Sequence, residues 1–150
     1  MGPLPTELAL TADAVRLGRT AADRADAVDQ CGALLVELGA VEPGYVPAMH
    51  EREASISTFV GEGIAIPHGT DASRSLVKET ALAFVQFPDG VDWGGSTAYV
   101  AIGIAASGDE HLGVLSSLAS VLTDPERAAR LRSVTDPSEV LALLSPERDG

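Results

Sequence analysis

Between residues 27 and 38 apolar side chains return every three to four positions, through Ala27, Val28, Cys31, Leu34, Leu35 and Leu38. That rhythm is one face of an α-helix, and Gly39 supplies its stop. Pro43-Gly44 opens a second, shorter helical stretch expected from Tyr45 to about Glu53. The rhythm then changes to short apolar runs. Ala14–Leu17 and Ile64-Ala65-Ile66 read as brief strands, with a polar link leading to Phe59-Val60 between the second helix and the latter. Ala81–Phe87 reads as a fuller one, closed by Pro88-Asp89-Gly90. Tyr99–Ala105 is apolar almost throughout, as a central strand covered on both faces should be. Gly103 inside it points to close packing.

The last third returns to helical spacing. Ser107 and Glu110 stand as N-cap and N3 of a capping box, and Leu112, Leu115, Leu118, Ala119 and Leu122 follow on one expected face. Asp124-Pro125 and Asp136-Pro137-Ser138-Glu139 each start a further helix, with proline where a missing N–H costs nothing. Val140, Leu143 and Leu144 give the last helix its apolar side. No composition shift or flexible linker divides the chain. The expected architecture is a single three-layer α/β domain, with a mostly buried mixed sheet flanked by helices.

Composition narrows the functional classes. With 45% hydrophobic residues in 150, the chain can bury a real core. That core must be mostly Ala, Leu, Val and Ile, because it has one Trp, two Tyr and three Phe. The formal net charge of -12 repels phosphate backbones and anionic lipid, so nucleic-acid binding is not expected. Cys31 is the only cysteine, which rules out an internal disulfide and a thiolate zinc site; its place on a helix face reads as buried and inert. No apolar run approaches the roughly 18 residues of a membrane span, and the start lacks a signal-peptide pattern. The expected location is cytoplasmic, with any membrane role exercised through a partner.

The candidate chemistry centres on Gly61-Glu62-Gly63-Ile64-Ala65-Ile66-Pro67-His68-Gly69-Thr70. Pro67 stiffens the approach to His68, and Gly69 lets another group pass close by. A neutral imidazole is a competent nucleophile toward phosphorus, although the same tripeptide also makes an ordinary turn. His111 falls in the first turn of a helix, where the exposed amides favour anions; alone it also reads as a surface histidine. Arg52 offers a planar fork of donors for phosphoryl oxygens, yet its neighbours Glu51 and Glu53 equally suit a solvated helix end. His50 reads as an incidental exposed residue. The three histidines show no HxxH, HxH or HExxH pairing, there is no G-x-S-x-G elbow, and Gly61-Glu62-Gly63 is not a P-loop. No metal or cofactor is expected.

Taken together, Met49-His50-Glu51-Arg52-Glu53, the run Ser57 to Thr70, Val85-Gln86-Phe87-Pro88-Asp89-Gly90-Val91, Ile102–Ala106 and Asp109-Glu110-His111-Leu112 resemble one family. It is the enzyme IIA domain of the bacterial phosphoenolpyruvate-dependent sugar phosphotransferase system, mannitol/fructose class, and the mannitol-like members most of all. The resemblance spans residues 9–145, leaving 1–8 as a flexible lead-in and 146–150 as a tail. It implies that His68 is the phosphorylated histidine, His111 its companion and Arg52 the positive group beside the phosphoryl site. It further implies a donor, the histidine-containing phosphocarrier protein, and an acceptor, a cysteine of enzyme IIB linked to membrane enzyme IIC. Lacking a IIC-like segment, the chain reads as a standalone IIA component feeding sugar uptake. The alternative is a regulatory module whose phosphohistidine controls a partner protein.

Overall fold

The structure, a computed structural model, describes residues 10–106 and 110–144; the side chains of residues 110–112, 117 and 121 lie outside that description. Five strands and five α-helices form in the order β1 (Val15–Arg16), α1 (Arg24–Glu37), α2 (Tyr45–Ser55), β2 (Phe59–Gly61), β3 (Ile64–Ala65), β4 (Ala81–Asp92), β5 (Thr97–Ala105), α3 (Glu110–Leu122), α4 (Pro125–Ser133) and α5 (Pro137–Leu144). A 3-10 turn, Asp71–Leu76, lies between β3 and β4. The sheet runs β1-β4-β5-β3-β2. β1 with β4 and β3 with β5 are parallel pairs, while β4 with β5 and β2 with β3 are antiparallel. The mixed, helix-flanked sheet is the expected architecture, with the strand around Tyr99–Ala105 at its centre.

Period-two alternation divides the core into two unequal layers. Ala81, Ala83, Val85, Ala101 and Ala105 face α1 and α2, whereas Leu82, Phe84, Val100, Ile102 and Ile104 face α3, α4 and α5. Small residues on the first face let α1 come close. A Cβ placed on Gly103 would stand 2.9 Å from the Cβ of Cys31. Gly103 therefore marks the close packing that the sequence suggests, and Cys31 is fully buried there. Burial pushes its thiol up to about 12, which keeps it protonated and unreactive.

The helix signals act locally as expected. Gly39, with φ of 76°, turns the chain away after α1; Asp23, a start signal the sequence reading did not name, accepts from Asp26 N at 2.9 Å and sets the helix going three residues before Ala27. Asp124 accepts from Glu126 N at 3.0 Å ahead of Pro125, and Asp136 accepts from Ser138 N at 2.9 Å ahead of α5. The capping box of Ser107 and Glu110 lies outside the described residues.

Two expectations are corrected. β4 does not end at Phe87 but continues through Pro88-Asp89-Gly90 to Asp92. Between the pairs Gln86↔Val100 and Val91↔Ala98 the register shifts, so the excess residues bulge out of the ladder. Pro88, which has no N–H to offer, sits in that bulge, and Gly90 takes the φ of 84° the bend needs. On α3, Ala119 is exposed and Val114 is buried with Leu118 and Leu122. The apolar stripe is thus set one position away from Ala119, on the side that meets the large residues of β4 and β5.

Candidate active site

His68 follows β3, an interior strand of the sheet, on a segment that is clamped from both sides. Ile104 N donates to Pro67 O at 2.9 Å, and His68 bridges Ile104 in parallel register. On the other side Gly69 N donates to Tyr45 Oη at 2.9 Å, and the same hydroxyl donates to Ile104 O at 2.9 Å. One residue of the central strand therefore holds the peptide before the histidine directly and the peptide after it through a tyrosine. A Cβ on Gly69 would fall 2.6 Å from Tyr45 Cε1 and against Ser73 Oγ. The close passage that Gly69 permits is that of Tyr45 and Ser73.

His68 is 8% exposed, and its Nδ1 lies 2.9 Å from Ile66 O. A carbonyl oxygen only accepts, so Nδ1 carries the proton in this pair. In the neutral tautomer the lone pair is then on Nε2. Burial lowers the His68 pKa below its ordinary 6.5, opposed by the Ile66 carbonyl; Arg52 and Arg74 lower it further while Glu53 raises it. Near neutral pH this imidazole is a base and nucleophile rather than a cation.

Of the sequence candidates, the structure brings Arg52 to His68 as an electrostatic neighbour. Its Nη1 donates to Ile56 O at 2.6 Å and so tethers the chain just beyond α2. Ile56 and Val60, 66% and 47% exposed, present apolar surface along this segment. His111 follows Glu110 at the start of α3, on the chain that leaves β5 after the Ile104 rung. Its side chain lies outside the described residues. His50 is half-exposed and pairs with Asp29 at 2.7 Å, joining α2 to α1 away from the histidine segment.

Glu53 is a correction. Glu51 is exposed as expected, but Glu53 is 6% exposed, and Trp93 Nε1 donates to its Oε2 at 2.8 Å. The signal for this was present: Tyr45, Met49 and Glu53 stand four apart and share the buried face of α2. Arg74 is a cation that the motif reading also missed. It sits in the turn after His68, paired with Asp71 at 3.1 Å, and it bears on both His68 and Tyr45. Nothing in its spacing announces this, because a 3-10 turn aims it.

Among the described residues no group of three or more His, Cys, Asp or Glu converges as a metal site would. The site is a buried imidazole whose pKa is lowered by burial and by the field of Arg52 and Arg74, in a chain of strongly negative net charge. A neutral imidazole in a field of guanidinium charge is chemically able to act as a nucleophile toward a small anion.

Comparison with known proteins identifies the family. The model of the family described as phosphoenolpyruvate-dependent sugar phosphotransferase system, EIIA 2, matches residues 9–146. A multiphosphoryl transfer protein of Escherichia coli O157:H7 is 49% identical over 140 residues, covering 93% of this chain and 37% of that one. The mannitol-specific phosphotransferase enzyme IIA component of Halalkalibacterium halodurans is 41% identical over 135 residues, covering 90% of this chain and 93% of that one. Enzyme IIA mannitol from Escherichia coli, in its complex with phosphorylated enzyme IIB mannitol, has a TM-score of 0.84 at 42% identity, over 89% of this chain and 95% of that one. The chain spans between 17% and 37% of the length of the multiphosphoryl transfer proteins it matches.

Proposed function

The chain belongs to the EIIA 2 family of the phosphoenolpyruvate-dependent sugar phosphotransferase system, and from that premise we propose that it relays phosphoryl groups through His68. The observation that carries this reading is the orientation of one ring. Its Nδ1 is turned onto Ile66 O, so the nucleophilic lone pair is on Nε2. In the forward step that lone pair attacks the phosphorus of a phosphohistidine on the histidine-containing phosphocarrier protein. The N–P bond of the donor breaks as the N–P bond of His68 forms, with donor nitrogen, phosphorus and acceptor nitrogen in line. Arg52 and Arg74 offset charge on the equatorial oxygens. His111, in the first turn of α3, completes the site as a second imidazole. In the onward step a cysteine thiolate of enzyme IIB attacks the same phosphorus, and His68 leaves neutral. The exposed Ile56 and Val60 suit two proteins that dock in turn on one rim.

No helix among the described residues is long and apolar enough to cross a membrane. We place the relay in the cytoplasm, delivering to a IIB linked to membrane enzyme IIC, with the phosphotransferase domain spanning residues 9–145. Likeness to mannitol-specific relatives makes a mannitol-type IIB the first acceptor to try. The test incubates the chain with labelled phosphoenolpyruvate, enzyme I and the phosphocarrier protein. Acid-labile, base-stable label on the wild type and none on His68→Ala is expected. Label on folded His68→Ala would end the assignment of His68, and absence of label on the wild type would end the relay itself.

A further inference from the structure

Glu53 follows Arg52 on α2, but the helix turns it into the protein, where it lies buried with three donors on its carboxylate. Trp93 Nε1 reaches Oε2 at 2.8 Å, Thr58 N reaches Oε2 at 3.1 Å, and Thr58 Oγ1 reaches Oε1 at 2.5 Å. Indole and peptide N–H groups only donate, so a carboxylate suits this position as no hydrocarbon could. The other side of the same residue continues the line: Thr58 O accepts from Ile66 N at 3.0 Å. Ile66 then presents its own carbonyl to His68 Nδ1 at 2.9 Å. A continuous series of hydrogen bonds thus runs from Trp93, just after β4, through Glu53, Thr58 and Ile66 to the imidazole.

We propose that Glu53 is a positioning residue for His68: fixed by Trp93 and Thr58, it holds the Thr58–Ile66 rung whose carbonyl seats Nδ1 and so selects the tautomer with its lone pair on Nε2. The inference rests on the relay reading for its purpose, but not for its geometry. A second contribution comes from charge. Arg52 from α2 and Arg74 from the 71–76 turn both disfavour the protonated ring, and the Glu53 carboxylate opposes them. Glu53 therefore acts on the ring by geometry and by field, and the two are separable by substitution.

Glu53→Gln removes the charge and keeps the shape. Its amide oxygen can accept from Trp93 and Thr58 N, and its NH2 can donate to a reversed Thr58 hydroxyl. Thr58→Val and Trp93→Phe keep the charge and each remove one donor. The experiment takes the full chain with 15N-labelled histidine, following the His68 tautomer and titration by NMR and the rate of phosphorylation by the phosphocarrier protein. Urea midpoints confirm that each variant is folded. Glu53→Gln is expected to move the His68 titration to lower pH, because the opposing anion is gone, and to carry the acid limb of the rate profile with it. Thr58→Val and Trp93→Phe are expected to lower the Nδ1–H tautomer fraction and to slow phosphorylation about tenfold at saturating donor. Should Glu53→Gln fail to fold, Thr58→Val decides the geometric claim. Folded variants with unchanged tautomer, titration and rate overturn the proposal. If wild type accepts no phosphoryl group, the relay reading fails, while the tautomer and titration still decide the role of Glu53.

Discussion

Tyr45→Phe removes one oxygen from the protein and leaves the ring, its packing and the helix start in place. That oxygen accepts from Gly69 N and donates to Ile104 O, both at 2.9 Å, and Tyr45, Gly69 and Ile104 are all buried. Each lost bond is worth about 1 kcal/mol net, and each buried backbone group left without a partner costs about 1–3 kcal/mol. Relaxation of the Gly69 segment recovers part of this. A loss of about 2–4 kcal/mol is therefore expected in urea denaturation, out of roughly 5–15 kcal/mol for a domain of this kind. With about 5 kcal/mol left, roughly one molecule in several thousand is unfolded, so stability alone leaves the rate of phosphorylation almost untouched. Yet the same hydroxyl ties Gly69 to the strand that also holds Pro67, and a displacement of about 1 Å at a reacting group can cost roughly 100-fold. The prediction is a loss of both: a lower urea midpoint, and a rate of His68 phosphorylation down at least tenfold in protein shown to be folded. A variant within about 0.5 kcal/mol of wild type that is phosphorylated at the wild-type rate would refute the two-sided clamp.

Three further outcomes follow from named contacts. Gly69→Ala puts a methyl group against Tyr45 and Ser73, so it is expected to cost at least about 2 kcal/mol and to slow transfer, as read by thermal melting and labelling. Arg74→Met removes a cation that lowers the His68 pKa, so the 15N titration of His68 should move up; no movement would exclude Arg74 from the site. At alkaline pH the buried Cys31, raised from 9.0 to about 12, binds its proton more tightly in the folded than in the unfolded chain. Its contribution is intact below pH 9 and lost as pH rises toward 12, at up to about 1.4 kcal/mol per unit. Cys31→Ala should therefore show a shallower alkaline fall in urea stability than wild type. Tyr45, also raised by burial, adds to the fall in both proteins.

The depressed pKa of His68 has the opposite consequence. The folded chain resists protonating this ring, so stability is complete above the ordinary 6.5 and declines as pH falls below it toward the lower folded value. The forward rate should hold through the same interval, because the nucleophile stays neutral there. Its acid limb marks the folded titration, and coincidence with the 15N titration of His68 is the check.

Helices α1, α4 and α5 were legible because their information is local. Asp124 and Asp136 cap within three residues of themselves, and a stripe such as Ala27, Val28, Cys31, Leu34 and Leu35 needs only the helical period to be seen. His68 was legible for the same reason, since proline before and glycine after constrain it whatever else the chain does. The bulge in β4 was not, because Pro88-Asp89-Gly90 stops a strand unless a partner takes up the shift, and β5 is that partner. Glu53 stood between these cases. Its spacing from Tyr45 and Met49 placed it on the buried face, but charge is read as solvation until donors are known.

By itself the sequence determined the histidine, the stiff turn that presents it, the helices around it and the apolar strand at the centre. Tertiary structure alone decided which ring nitrogen carries the proton and what steadies the ring. The tautomer depends on Ile66 O, the rung below that depends on Thr58, and the clamp depends on Ile104 and Tyr45. Caps and periods act over a few residues, so a linear reading captures them. Hydrogen bonds between residues 53 and 93, or 45 and 104, exist only after the sheet has closed and its small-residue face has drawn α1 and α2 in.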